Sequence, residues 1–279
     1  MINVWFFREP GYEIRNIVVL NNGYEEVVAM PDEIKVKSLY KALRVLDCFT
    51  VNQPELGITE ISGMLGLYKS NVHNIVDTFV KAGYLEQNPE NEKYRLGMKI
   101  LELGHVISSN INLRKLILPY MQELADFTNE TVYLGIPNEG EVIYLDSSSP
   151  KHQLSTRSML GVKAPLYCTG IGKAMLAYLP EEVLHSIIAK GLRKFTDHTI
   201  TEPDRLLKEI SEIRTRGYSI DNMEHEFGIK CVGMPILNKK KQVVAGISMS
   251  GPSLRYDDDK IKEYAARLKE IVHMLEDKV

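Results

Sequence analysis

The stretch ITEISGMLGLYKSNVHNIVDTFVKAGYLEQNPENEKYRLG, residues 58–97, decides the fold of the first part of the chain. Two runs of apolar residues in it follow helical spacing. Thr59 and Ser70 precede these runs and are residue types that cap helix N-termini. Gly66 and Gly83 follow them, and glycine tolerates the left-handed conformation that ends helices. The stretch therefore predicts two helices joined by a tight turn.

The end of the same stretch indicates a two-stranded hairpin. A strand begins at Tyr84, residues 88–91 are rich in turn formers, and residues 94–96 return as the second strand. Helix, turn, helix and hairpin in this order make a winged helix-turn-helix, whose usual partner is duplex DNA. Helical hairpins followed by strands also occur in protein-docking modules. A docking scaffold that does not bind DNA therefore stays open as an alternative.

The start of the second helix carries side chains that can bond base edges or phosphates when such a helix enters the major groove. They are Lys69, Ser70, Asn71, His73 and Asn74. On the hairpin, Lys93 and Arg95 are expected near the flanking DNA backbone. Residues 34–97 hold eight Lys or Arg and seven Asp or Glu, so net charge does not mark a binding face. Such a face must come from the folded arrangement or from two copies in a dimer.

The composition is ordinary for a globular protein. The chain has 279 residues, of which 44% are hydrophobic and 25% charged, with a net charge of −3, and this length suggests roughly two domains. The three cysteines are too few and too scattered for a disulfide framework or a zinc motif, which fits a reducing cytoplasm. No apolar run approaches the roughly 20 residues that a membrane span needs. We predict no cofactor and no bound metal.

The sequence predicts four segments. Residues 1–33 form an extension of unknown role, either a short hairpin that turns at residues 21–23 or a stretch upstream of a natural start at Met30. Residues 34–97 form the DNA-binding domain, residues 98–112 a linker helix of the kind that often pairs two subunits, and residues 113–279 a second domain.

The DNA-binding domain is expected to begin with an amphipathic helix over residues 38–49. Leu39, Leu43 and Leu46 lie on its apolar side, which we expect to pack on the helical hairpin. The linker helix also carries an apolar side, which includes Leu101, Leu103 and Ile107.

The second domain alternates strands and helices after a first helix at residues 113–129, in which Pro119 marks a kink or a fresh start. Strands are predicted at residues 131–136, 141–146, 152–158, 218–221, 231–236 and 243–250. Helices are predicted at residues 172–179, 181–189, 202–216 and 257–278. This order suits an antiparallel sheet with flanking helices, so the fold class is α+β.

The chain resembles the IclR family of bacterial transcription regulators from about Ile34 to its C-terminus. The resemblance rests on the stretch quoted first, on the KILELG that follows it, on LGVKAPLYCTGIGKAMLAYLP (160–180), on RGYSIDNMEHEFGIKCVGMPILNKKKQVVAGISMSGP (216–252) and on the final helix. It implies a winged helix joined by a linker helix to a GAF-like effector-binding domain. Members of the family typically act as homodimers or dimers of dimers on pseudo-palindromic operator DNA, most of them as repressors. Their effectors are commonly small organic acids, including hydroxy, keto, aromatic and sugar acids.

A ligand site also has support from the residues themselves. Residues 168–173 form a glycine-containing loop that leads into a helix, and exposed amides at a helix N-terminus attract anions such as carboxylates. A tight turn in which the glycines permit close packing explains the same residues. Ser248 and Ser250 alternate along one strand, so both face the same side.

The resemblance assigns the effector to a specific set of residues. These are Gly170, Ile171, Asp221, Cys231, Ser248 and Ser250. Asp221 beside a bound carboxylate needs a shared proton or a ligand hydroxyl, because like charges repel, and this hints at a hydroxy or keto acid. The serines also suit an ordinary satisfied sheet face, and Cys231 suits a small buried hydrophobe.

A Cys-dependent hydrolase is the remaining alternative, because His225 lies near Asp221 and Cys231 in sequence. Residues 224–226 are expected to form a solvated turn, and the nucleophile, base and oxyanion donors cannot be placed together. The chain is therefore predicted not to be an enzyme. The sequence predicts a ligand-responsive, DNA-binding transcription regulator, a repressor of a catabolic operon that a small organic acid releases or remodels.

Overall fold

The computed structural model of the protein describes residues 16–21, 24–29, 34–110, 112–150, 160–276 and 278. The chain divides into two compact units, with the boundary after Asn110. Strands β1 (Asn16–Asn21) and β2 (Tyr24–Ala29) pair antiparallel, as the hairpin interpretation of the N-terminal extension predicts. The strand predicted at residues 152–158 lies outside the described residues.

The first unit contains the winged helix that the sequence predicts. Its elements are α1 (Lys37–Asp47), α2 (Ile58–Leu65), α3 (Lys69–Lys81), β3 (Leu85–Gln87), β4 (Tyr94–Leu96) and the long helix α4 (Met98–Asn110). Leu56 bridges to Tyr94, which adds a single residue pair to the hairpin. The core of the unit includes Ile61, Val72 and Leu85.

The two predicted helix caps, Thr59 and Ser70, lie two residues too far along the chain. Helix α2 starts after Gly57, because the Glu60 carboxylate reaches back and accepts a hydrogen bond of 2.6 Å from the Gly57 amide. Helix α3 starts after the extended Tyr68, so Ser70 is already its second residue. Gly66 ends α2 in the left-handed conformation, with φ at 64°, as predicted.

The prediction for the core face of α1 was wrong for two of its leucines. Leu39 is 56% exposed and Leu43 is 49% exposed, whereas Val45 and Cys48 face the core. Helix α1 therefore carries two apolar stripes, and only one of them packs within its own unit. Helical spacing identifies apolar stripes but does not say which stripe the core covers.

The second unit contains the predicted α+β fold. Its helices are α5 (Asn112–Thr128), α6 (Gly170–Leu176), α7 (Glu181–Lys190), α8 (Pro203–Arg216) and α9 (Asp258–Glu276). Its strands are β5 (Thr131–Asn138), β6 (Glu141–Ser148), β7 (Lys163–Pro165), β8 (Ser219–Asn222), β9 (Ile229–Leu237) and β10 (Val243–Pro252). Among the described residues, these six strands form one antiparallel sheet in the order β7-β6-β5-β10-β9-β8. Pro119 lies inside the continuous helix α5.

The two faces of this sheet are covered differently. Helices α5 and α9 pack on one face, where Ile247 and Met249 of β10 join Leu124 and Leu268 in a single core. The other face holds a second core that includes residues of α6, α7 and α8. Gly246 permits α6 to approach, because a Cβ atom there would lie 2.8 Å from Cγ1 of Ile171. The sheet thus seats the start of α6 directly on β10 and its neighbours.

Candidate functional site

The N-terminal part of α3 displays an uninterrupted set of exposed polar side chains. The side chains of Val72 and Val76 are buried in the core, so the polar residues on either side of Val72 face solvent. The exposed residues are Lys69, Ser70, Asn71, His73 and Asn74. Within the described part of the chain, none of these five side chains has a hydrogen-bond partner. They are therefore available to an external partner without the loss of an internal bond.

The hairpin residues expected at the DNA backbone are paired within the unit. Lys93 Nζ lies 3.0 Å from Glu60 Oε1, and Arg95 Nη2 lies 3.3 Å from Glu86 Oε2. These ion pairs are solvent-exposed, and such pairs contribute about 0–1 kcal/mol. A phosphate can therefore displace the carboxylates at little cost.

An apolar surface of the first unit is left open to solvent. It consists of large hydrophobic side chains on α4 and on the outer stripe of α1, each exposed by at least 44%. They are Val36, Leu39, Leu43, Met98, Leu101, Leu103, Val106 and Ile107. Exposed large hydrophobic side chains in this number point to an interaction site in soluble proteins. We call these residues the α1/α4 surface.

In the second unit, three predicted effector residues form one row across three strands. Asp221 of β8 pairs in register with Cys231 of β9, which pairs with Ser250 of β10. Cys231 Sγ lies 2.9 Å from Ser250 Oγ and 3.8 Å from Asp221 Oδ2. Residues at matching register positions of neighbouring strands point to the same face. The row therefore presents a thiol, a hydroxyl and a carboxyl group together.

Gly170, the first residue of α6, lies directly against this row. A Cβ atom on Gly170 would lie 2.8 Å from Cβ of Cys231, so only glycine fits without displacement. Ser219 Oγ donates a 2.5 Å hydrogen bond to the carbonyl of Gly170 and fixes the start of the helix on the sheet. The backbone of Gly170 thus forms one wall of the row.

The other two predicted effector residues lie deeper. Ser248 is on the same face as Ser250, between Gly233 and Tyr133 in the sheet register, and is 3% exposed. Ile171 is 1% exposed and packs on the glycine positions 135 and 246, so its side chain belongs to the core.

The start of α6 is closed to solvent, whereas the sequence indicated exposed amides. Every residue of α6 is buried. The Thr169 hydroxyl caps the helix by accepting a hydrogen bond of 3.1 Å from the Gly172 amide. Glycines at 135, 170, 233 and 246 let the helix sink onto the sheet, which closes its N-terminus to solvent. The tight-packing interpretation of these glycines therefore holds.

A network of charged side chains lies beside the row, and the sequence did not predict it. Lys173 is 1% exposed, and its Nζ lies 2.5 Å from Glu224 Oε1 and 3.2 Å from Glu209 Oε1. Glu209 also binds Arg216 at 2.7 Å. Glu224 is 5% exposed, so the expected solvated turn was wrong there. Its amide donates a 2.7 Å hydrogen bond to Asp221 Oδ1, which joins the network to the row.

Burial determines the direction of the pKa shifts of the titratable groups in the row. Burial raises the pKa of Asp221 to about 7, even though the hydrogen bond from the Glu224 amide acts in the opposite direction. Burial also raises the pKa of the Cys231 thiol well above its ordinary value. The row therefore presents a neutral thiol and a carboxyl group that changes charge near neutral pH.

Two tyrosines of the same region were also missed. The rings of Tyr133 and Tyr144 meet edge to face with centroids 5.5 Å apart. Burial raises the pKa of both hydroxyls, so both are protonated at neutral pH. Neither hydroxyl has a hydrogen-bond partner within the described ranges. The alternation of β5 could have indicated Tyr133, which shares its face with Thr131.

The geometry does not suit a Cys-His hydrolase. The ring of His225 packs on Phe195 at 5.1 Å, and burial lowers the pKa of His225. Cys231 Sγ contacts Ser250 and Asp221, and its raised pKa disfavours the nucleophilic thiolate. Among the described residues, no group of three His, Cys, Asp or Glu side chains could hold a metal ion.

A groove of about 830 Å³ lies away from the row, between α9 and β9. Its lining includes Arg216, Tyr218, Met234, Lys269 and His273 and none of the predicted effector residues. None of the helices in the described part of the chain is long and apolar enough to cross a membrane.

Comparisons with known proteins match both units. Residues 38–89 match the IclR helix-turn-helix domain, and residues 105–276 match the C-terminal domain of bacterial IclR transcriptional regulators. The transcriptional regulator XynR of Escherichia coli is 35% identical over 237 residues, which cover 84% of this chain and 94% of XynR.

Solved structures agree with this match. The IclR structure from Thermotoga maritima is 32% identical, with a TM-score of 0.65 over 85% of this chain and 96% of that chain. An IclR homolog from Microbacterium hydrocarbonoxydans, solved with 4-hydroxybenzoate, has a TM-score of 0.71 at 24% identity. It covers 85% of this chain and 100% of that chain. At this identity the second structure shows the shared fold alone.

Proposed function

This chain belongs to the IclR family of DNA-binding bacterial transcriptional regulators, and we propose that it represses a catabolic operon in the cytoplasm and responds to a small organic acid. The observation that carries the proposal is the polar face of α3, whose five exposed side chains have no hydrogen-bond partner within the described residues. A helix displayed in this way suits insertion into the major groove of operator DNA.

The contacts on DNA divide into two kinds. Asn71, His73 and Asn74 point away from the core and would reach base edges, while Lys69 and Ser70 at the helix start would bind phosphates. Lys93 and Arg95 of the hairpin would exchange their carboxylate partners for flanking phosphates. Base contacts supply sequence preference, and phosphate contacts supply salt-dependent affinity.

A homodimer is the smallest assembly that suits this chain. The α1/α4 surface exposes eight large hydrophobic side chains, which a second copy would cover. Two winged helices would then engage two half-sites of a palindromic operator. Pairing also doubles the number of phosphate contacts available to a winged helix that is nearly neutral by itself. Dimers of dimers would extend the same arrangement to two operators.

The effector would occupy the row of Asp221, Cys231 and Ser250, with Gly170 at one end and Ser248 beside it. These groups offer a carboxyl, a thiol and hydroxyls, which suit a small acid that also carries a hydroxyl or keto oxygen. A homolog of the same fold was solved with a small acid, 4-hydroxybenzoate. Effector binding would change the spacing of the paired winged helices, and a coupling of about 1–3 kcal/mol is sufficient.

Fluorescence anisotropy of the full-length protein tests the proposal. The probe is DNA from upstream of the gene, compared with a scrambled duplex at two salt concentrations. We expect tight binding to the upstream DNA that weakens with salt, and weak binding to the scrambled duplex. Equal weak binding to both duplexes would contradict the proposed repression at this operator. Addition of lactate, pyruvate or 4-hydroxybenzoate to the bound complex then tests release.

A further inference from the structure

The buried charges beside the effector row do not balance. Three carboxylates, those of Asp221, Glu224 and Glu209, face two cations, Lys173 and Arg216. Lys173 is shared by Glu224 and Glu209, and Arg216 binds Glu209. Asp221 makes no ion pair with any described residue. If all five groups are ionised, the described residues leave one negative charge uncompensated.

The described groups that face Asp221 do not supply a cation of its own. The loop after β8 contributes Glu224, whose charge opposes that of Asp221 although its amide donates a hydrogen bond. Strand β9 contributes the neutral thiol of Cys231. The turn before α6 contributes Cys168, and β6 contributes Tyr144; burial raises the pKa of both, so both are neutral. Helix α6 contributes Lys173, the cation already shared by two other carboxylates.

An organic acid in the row would add a second negative charge within the same buried space. Two carboxylates cannot both stay ionised at close range without a cation between them, so one takes up a proton. Burial raises the pKa of both Asp221 and Glu224, that of Asp221 to about 7. Asp221 is the group that can accept the proton, because Lys173 at 2.5 Å favours the ionised form of Glu224, whereas Asp221 has no ion pair with a described residue. Once protonated, Asp221 becomes a hydrogen-bond donor instead of a second anion.

We propose that the site binds its effector together with one proton held on Asp221, and that it prefers a monoanion with a hydroxyl or keto oxygen over a dianion. The proton comes from solvent, the effector carboxylate stays ionised, and the Asp221 hydroxyl donates to the effector's second oxygen. This inference rests on the proposed effector role of the row. Effector affinity therefore depends on pH. Above neutral pH the carboxyl group of free Asp221 is ionised, so each binding event takes up a proton from solvent.

Isothermal titration calorimetry on the full-length protein tests the inference. Lactate, pyruvate and 4-hydroxybenzoate are titrated between pH 6 and pH 8.5, each in two buffers with different heats of ionisation. At pH 8 we expect uptake of nearly one proton per site, and above pH 7 a fall in affinity of about tenfold per pH unit. Malate adds a second carboxylate to the hydroxy acid of lactate, and we expect it to bind at least about tenfold more weakly than lactate.

The variant Asp221→Asn keeps the shape of the side chain and removes the titration. We expect no proton uptake, a flat pH profile, and an affinity at pH 8 above that of the wild type. Asp259→Asn is the matched control, because Asp259 is 97% exposed in its pair with Lys262, and it should keep the wild-type pH profile. Proton uptake by the wild-type protein is obtained from its binding heats in the two buffers, without any variant. The inference can therefore be tested even if Asp221→Asn does not fold.

The outcomes separate this inference from the proposal on which it rests. Binding of any of these acids without proton uptake at pH 8, and with an affinity independent of pH, would overturn the proton coupling alone. Binding of malate as tight as that of lactate would overturn the preference for monoanions. Absence of binding by all three acids at pH 6 would overturn the proposed effector class, and the inference with it.

Discussion

Helix α3 takes its exposed polar side chains from one continuous stretch of six residues, whereas the cluster around Asp221 joins residues from separate strands, a loop and two helices. The first surface is open, and its side chains have no partner among the described residues. The second is buried, and it is charged in a way that only the fold reveals. The surface proposed to bind DNA therefore comes from one local segment of the chain. The site proposed to bind the effector depends on contacts between segments that are distant in sequence.

The largest effect is expected from loss of the proposed homodimer, through which both regions would act. Leu101→Glu places a charge on the α1/α4 surface, at a side chain that is 65% exposed in the single chain. We expect a monomer in analytical ultracentrifugation and a loss of operator affinity of about 10²–10⁴-fold, because the second half-site no longer binds intramolecularly. Val51→Glu changes an exposed residue elsewhere in the same unit and should leave the dimer intact. A Leu101→Glu protein that stays dimeric would exclude this surface as the interface.

The buried region is tested next by Lys173→Met. The substitution keeps the length of the side chain and removes the cation that Glu224 and Glu209 share. Leaving buried charge uncompensated costs about 3–5 kcal/mol, so we expect a loss of this size in the free energy of unfolding measured with urea. Lys239→Met, at the exposed tip between β9 and β10, should have little effect. Equal stability of the two variants would mean that the network contributes nothing to the fold.

The open region is tested by Asn71→Ala. If Asn71 reads a base, operator affinity should fall by about 1–3 kcal/mol, while the melting temperature stays unchanged because the side chain has no internal partner. Asn52→Ala, in the exposed loop between α1 and α2, is the matched control. Unchanged operator affinity would remove Asn71 from the readout.

The smallest effect is expected at the hairpin. Lys93→Ala removes an exposed ion pair with Glu60, which is worth about 0–1 kcal/mol to stability. If Lys93 binds a phosphate, the salt dependence of operator affinity should flatten by about one unit of slope, equally on all sequences. An unaltered slope would place the hairpin off the DNA.

The sequence predicted the winged helix and the sheet because both depend on local periodicity and turn residues. It placed the cap of α3 within two residues of its observed position. It did not predict that Leu39 and Leu43 face solvent, because an apolar stripe that binds a second copy has the same spacing as one that packs in the core.

The effector site was predicted less completely. The register of β8, β9 and β10 puts Asp221, Cys231 and Ser250 in one row, which agrees with the residue set that the family resemblance implied. The partner of Lys173 was missed, since Glu224 lies 51 residues further along the chain and no local pattern connects them. The glycines before Lys173 indicated close packing and an anion site equally well; the fold shows the close packing, and the anion site stays a prediction.

We propose that α3 binds the operator and that the row on the sheet controls this binding, so that the two regions can be separated by mutation. Operator anisotropy of the double variant Ser248→Ala/Ser250→Ala, titrated with the acid that releases the wild-type protein, tests it most directly. We expect wild-type operator affinity and no release at any concentration of the acid. Release at the wild-type concentration would place the effector site elsewhere, and loss of operator affinity before any acid is added would show that the two regions are not separable.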